Sequence, residues 1–182
     1  NTSSRFDVGR NFANKFWNSA RFAIMNIDSP VKNVNSNHLL PPDKWMLSRL
    51  ITAVEKMNSS LSSFQFNVAS ETLYDLLWRD FCDWYLEAIK PTIKENKYQQ
   101  RTLLTVLNVI CRLLHPVCPF VTEAMWEHLN KFETGSLEGI DLDFSEVLAL
   151  ASWPDISSLK IDNDIVQSFE ALRLIVTEIR GV

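Results

Sequence analysis

Apolar residues recur at three- and four-residue intervals along most of the chain, and the places where that rhythm breaks mark out its helices. Residues 6–27 read as the first helix. A connector at 28–44 carries the polar, proline-punctuated run DSPVKNVNSNHLLPP, which a helix does not cross, and its Asp43 is placed to cap the second helix. That helix, through about residue 64, has Leu47, Leu50, Ile51, Val54, Met57 and Leu61 in phase. The third, FNVASETLYDLLWRDFCDWYLEAIKP, is ended by Pro91 and shows a broad stripe of Leu73, Leu76, Leu77, Phe81, Trp84 and Ile89, so that Trp78 and Trp84 are expected mainly in the core. A fourth, YQQRTLLTVLNVICRLLHP, stops at Pro116, and a shorter fifth has Pro119 near its first turn. The pattern weakens over 133–158, where Gly135, Gly139 and Pro154 fall; this is expected to be an irregular insertion holding a short strand at most. A last helix lies within 161–182. The sum is an all-α bundle of five to six helices forming a single domain over 1–182, with a short irregular or β excursion near 133–158.

Composition sharpens that picture in a few respects. Four glycines and seven prolines in 182 residues argue against a turn-rich β architecture, and 46% hydrophobic residues are enough for a substantial core. A net charge of −4 gives no global nucleic-acid signal, so any such role must come from local segregation of charge. Three irregularly placed cysteines do not form a disulfide framework, and no apolar run approaches the ~20 residues that span a bilayer. A cytoplasmic protein with no membrane partner is expected. The ends, NTSSRF and EIRGV, have the look of cuts, so a piece of something larger is expected.

The segment VGRNFANKFWNSARFAIMNI, residues 8–27, holds three basic residues and no carboxylate. Projected as a helix, its apolar residues fill an arc from roughly 160° to 340° measured from Arg10. Arg10, Asn11, Asn14, Lys15, Asn18 and Arg21 fill the rest, and Phe22 falls inside this polar arc at roughly 120°. A solvated face usually mixes charges to gain i,i+4 pairs, and this sequence forgoes them. Basic groups neutralise phosphates, asparagines pair with base edges, and an exposed phenyl ring stacks on an unpaired base. The plainer alternative is an ordinary polar face with one stray aromatic.

Other clusters carry less. Cys111, His115, Cys118 and His128 match no paired-ligand spacing of a structural zinc site, since Cys118 lies beyond Pro116 while Cys111 sits on an apolar stripe. No metal is expected. Asp80, Asp83 and Glu87 share one side of a helix, but the Glu-x-x-His pairs of a di-iron bundle are absent; pairing with Arg79 and Lys90, or a bond to a neighbouring helix, is expected instead. No nucleotide-binding glycine pattern or nucleophile elbow occurs, and no residue is expected to be catalytic.

Three stretches, GRNFANKFWNSARFAIMN, WRDFCDWYLEAIKP and LLHPVCPFVTEAMWEHL, resemble in order and spacing the region that follows the catalytic core of the valyl-tRNA synthetases. The resemblance covers nearly the whole chain; the third stretch is shared with the isoleucine and leucine enzymes. Cys118 stands where that family often has methionine and Ala124 where glutamate or serine is usual, while FETGSLEGIDLDFSEVLA is divergent. The resemblance implies the anticodon-binding helical domain of a class I synthetase, which activates valine with ATP and attaches it to its tRNA. It implies that ATP is handled by a catalytic domain outside this stretch, since the His-Ile-Gly-His and Lys-Met-Ser-Lys-Ser signatures do not occur here, and that a coiled-coil arm follows the last helix. No cofactor is expected in the fragment itself. The implied partner is the anticodon loop and stem of a valine tRNA, with no role for DNA, held by the face of Arg10, Asn11, Asn14, Lys15, Asn18, Arg21 and Phe22. The rival expectation is a helical protein-interaction module that docks a partner through its exposed aromatics.

Overall fold

A computed structural model describes residues 2–160 and 163–180, apart from the side chains of residues 2–5. The expected bundle is present: α1 (Thr2–Met25), α2 (Pro41–Ser62), α3 (Phe66–Tyr74), α4 (Leu86–Ile89), α5 (Lys97–Leu114), α6 (Pro119–Leu129) and α7 (Asn163–Arg180). Among the described residues no helix is long and apolar enough to cross a membrane. Helix α5 is the central rod. From Gln99 to Leu114 every residue but Asn108 is buried, and α1, α2 and α6 pack around it.

Helix α2 starts at Pro41, earlier than the expected connector allows. Both prolines fall in the first turn, where a missing N–H leaves no intrahelical bond unmade. The cap residue is Leu40, and Asp43 reaches back to accept its N–H at 3.1 Å. The cap therefore lies three residues before the predicted one.

Between α3 and α4 the backbone continues as a π-helix, Asp75–Tyr85, closed by Leu86 N–H donating to the Phe81 carbonyl. Its i→i+5 bonding places more residues in each turn than an α-helix does. The buried positions are accordingly Leu76, Leu77, Asp80, Phe81, Cys82 and Tyr85; the projected stripe contains Leu76, Leu77 and Phe81 but not Asp80, Cys82 and Tyr85. Trp78 and Trp84 end up half-buried at the edges of that face instead of in the core.

The 133–158 excursion is pinned to the bundle at both ends. Strand β2 (Ser136–Leu137) pairs in parallel with β1 (Asn33–Val34), with Asn33 opposite Ser136 and Val34 opposite Leu137. Leu137, Ile140, Leu148 and Ile156 join the core. The guanidinium of Arg112, buried in α5, donates to the Asp143 carboxylate and to the carbonyls of Asp143 and Ser152. At the other side of the bundle α7 buries only Phe169, stacked 4.7 Å from Trp45. Arg173 lies 5.0 Å from the Trp45 ring and 5.1 Å from Trp84, and reaches Asp80 at 3.6 Å.

Candidate nucleic-acid interface

Helix α1 buries Phe16, Ala20 and Ala23, with Ile27 buried just beyond its end, and the small residues let it lie close against α5 and α6. The opposite side divides lengthwise into two strips, because α1 also borders the helix running from α3 through the π-helix to α4.

The first strip is a seam. Phe12 stacks on Tyr74 with ring centroids 6.0 Å apart, and Tyr74 stacks on Trp78 at 5.5 Å. The Lys15 ammonium lies 5.0 Å from the Trp78 ring centre and pairs with Asp83 at 3.0 Å. One turn on, burial pushes the Cys82 thiol up to about 11, so it stays protonated and donates to Ser19 Oγ at 3.0 Å, whose own proton goes to the Lys15 carbonyl. Phe22 ends the seam, 38% exposed, with the Lys90 ammonium 5.4 Å from its ring centre. Its position inside the polar arc is thereby explained: it packs sideways on the neighbouring helix.

The second strip is open. Asn14, Asn18 and Arg21 are exposed and follow Arg10 at helical spacing, with Asn11 beside them; a stripe from position 10 to 21 is roughly 16 Å long. Among the described residues the side chains of Asn11, Asn14, Asn18 and Arg21 have no hydrogen-bond or ion-pair partner, and no neighbouring helix end is capped by Asn14 or Asn18. Arg10 differs, pairing with Asp7 at 3.0 Å one turn earlier. The face therefore does not forgo ion pairs altogether. Its counter-charges come from Asp7, just outside the carboxylate-free segment, and from Asp83 on another helix.

The seven expected residues thus fall into two groups: Arg10, Asn11, Asn14, Asn18 and Arg21 on the open strip, Lys15 and Phe22 on the seam. Sequence reasoning missed Tyr74, Trp78, Asp83 and Lys90, which complete the seam. A signal was present in the i,i+4 spacing of Tyr74 and Trp78, but the phase of the π-helix hid which side they face.

The other clusters resolve into structural contacts. Asp80 takes Arg49 at 2.7 Å from α2, Glu87 takes Lys90 at the end of its own helix, and Arg79 pairs with Asp75. Cys111 is fully buried in α5 and its thiol is held far above the ordinary range by that burial, while His115 Nδ1 sits 2.9 Å from Thr122 Oγ1. Among the described residues no three histidine, cysteine or carboxylate side chains converge to hold a metal ion.

Comparison with known proteins bears on the same region. A family model described as the anticodon-binding domain of tRNA ligase matches residues 43–182. The chain is 39% identical over 179 residues to a valine–tRNA ligase of Thermotoga maritima and 37% identical over 180 residues to one of Fervidobacterium nodosum, in each case 97% of this chain. It is 33% identical over 192 residues to that of Legionella pneumophila. These similarities take in α1, which precedes the family-model match. The chain spans about a fifth of the length of these relatives, 19% for the first two.

Proposed function

The chain belongs to the family of tRNA ligase anticodon-binding domains, and on that premise we propose that the open strip and seam of α1 receive the anticodon loop of a valine tRNA. The observation that carries this is the strip itself: an exposed arginine and three exposed asparagines that have no hydrogen-bond or ion-pair partner among the described residues, bordered by a seam that holds aromatic rings and two lysines. Cations at such a strip meet phosphates, which position the RNA. Asparagine amides have both a donor and an acceptor for the Watson–Crick edges of unpaired bases, and the rings offer faces for stacking.

The choice of valine rests on the names of the relatives, which are valine–tRNA ligases. In this proposal the longer protein activates valine with ATP, attaches it to the tRNA and works in the cytoplasm, while the present chain contributes recognition and no chemistry. ATP then belongs to the longer protein's catalytic part.

The test compares binding of a valine tRNA with the same tRNA carrying another anticodon, at several salt concentrations. The proposal expects tighter binding of the valine anticodon and affinity that falls steeply with salt. Equal binding of both tRNAs, or binding indifferent to salt, would contradict it.

A further inference from the structure

Lys15 is expected to meet an RNA phosphate, yet its ammonium already has a partner. Asp83 holds it at 3.0 Å, and in that position it lies 5.0 Å from the centre of the Trp78 ring. The pair is on the surface, with side chains 34% and 45% exposed, where such a bond contributes little and exchanges readily. Trp78 is the last ring of the row Phe12–Tyr74–Trp78, each stacked on the next. A row of this kind in a core would be buried, but Tyr74 is 36% exposed and Trp78 half-buried, so the row, joined to α1 by Phe12 and Lys15, reaches solvent.

Resting on the anticodon-loop proposal above, we infer that the RNA site extends onto the π-helix: Asp83 occupies Lys15 in place of an RNA phosphate, and the Tyr74–Trp78 row takes an unpaired base when that phosphate draws Lys15 away. Lysine suits the role because its ammonium is a compact point charge on a flexible stem, able to swing between a carboxylate and a phosphate. An aromatic row suits it because every base has a face to stack, so the contact adds affinity without choosing among bases. Asp83 then gives selectivity against weak anionic ligands. Only a ligand that brings a phosphate and a base together recovers the Lys15–Asp83 pair it breaks.

The test is a set of binding measurements with the anticodon stem–loop RNA of a valine tRNA and the full chain. Asp83→Asn should bind roughly two- to fivefold tighter, the range set by a surface ion pair of up to about 1 kcal/mol. In a Lys15→Ala background the same change should give no gain, because the competition it relieves is gone. An equal gain in both backgrounds would mean that Asp83 acts only through its general charge, and would overturn the inference. Trp78→Leu should bind roughly fivefold or more weakly with unchanged salt slope, and Trp78→Phe should retain most of the affinity. A Trp78→Leu chain that keeps wild-type melting and wild-type affinity would also overturn it. Arg21→Ala separates the two levels: if it weakens binding while the Asp83 and Trp78 variants behave as wild type, the anticodon proposal stands and the extension fails. If all of them bind as wild type, both fail.

Discussion

Tyr85 and Asp43 meet in the middle of the bundle, the phenol donating to the carboxylate Oδ1 at 2.8 Å with Asp43 only 1% exposed. Gln99 Nε2 adds contacts at 3.3 and 3.2 Å and the Leu40 N–H a fourth at 3.1 Å, so one carboxylate ties α2, the π-helix and α5 together. Burial wins over these bonds and raises Asp43 to about 6.

That shift fixes a pH dependence. Between the ordinary carboxylate value of 3.8 and about 6, the folded chain keeps a proton that the unfolded chain has released. Stability contributed by Asp43 is therefore fully present below about pH 4 and is lost as pH rises through about 6, by about 3 kcal/mol in total. Asp28, Asp143 and Asp155 are shifted downward and act in the opposite sense, so the bare profile mixes both. Urea unfolding of wild type and Asp43→Asn from about pH 4 to 7 isolates the buried group. The difference between them should change across that range in favour of Asn, and a constant difference would refute the assignment.

The pinning of the excursion to α5 gives a second expectation. Arg112 is almost wholly buried while its partner Asp143 is 41% exposed, so the pair should be worth less than the ~3–5 kcal/mol of a fully buried one. Arg112→Met should cost about 2 kcal/mol and open 133–158 to limited proteolysis while the helices persist by circular dichroism. Unchanged protease resistance would show that the buried leucines and isoleucines of the excursion suffice alone.

Gly135 sits where the excursion meets the β1 strand. A Cβ there would collide with the Lys32 carbonyl and the Arg101 guanidinium, which itself donates to the Val31 carbonyl at 2.6 Å. The carbonyl is backbone and has little room to move, so Gly135→Ala should destabilise by about 1–3 kcal/mol, read as a lowered melting temperature. A variant that melts like wild type would mean the junction yields.

The helices were legible because their evidence is local: an apolar phase and prolines at the breaks set α1, α2, α5, α6 and α7 to within a few residues. What was hidden depended on partners far along the chain. Residues 75–85 carry no mark of π-winding, so Trp78 and Trp84 were projected into a core they only border. A two-residue strand has no periodicity to detect, and Asn33 meets Ser136 only through the tertiary fold. The site shows the same division. Charge segregation on α1 could be read directly, whereas Asp83 on Lys15 and Lys90 beside Phe22 required knowing which helix lies alongside.

The most direct test of α1 as the anticodon face is a salt titration of valine tRNA binding by wild type, Arg21→Ala and Phe22→Ala. Arg21 has no ion pair to lose among the described residues, so its replacement should leave stability within ~0.5 kcal/mol. The account predicts weaker binding for Arg21→Ala with a salt slope shallower by about one unit, the mark of a lost phosphate contact. Phe22→Ala should bind more weakly at an unchanged slope, because stacking carries no charge. Wild-type affinity and slope in both folded variants would contradict the account.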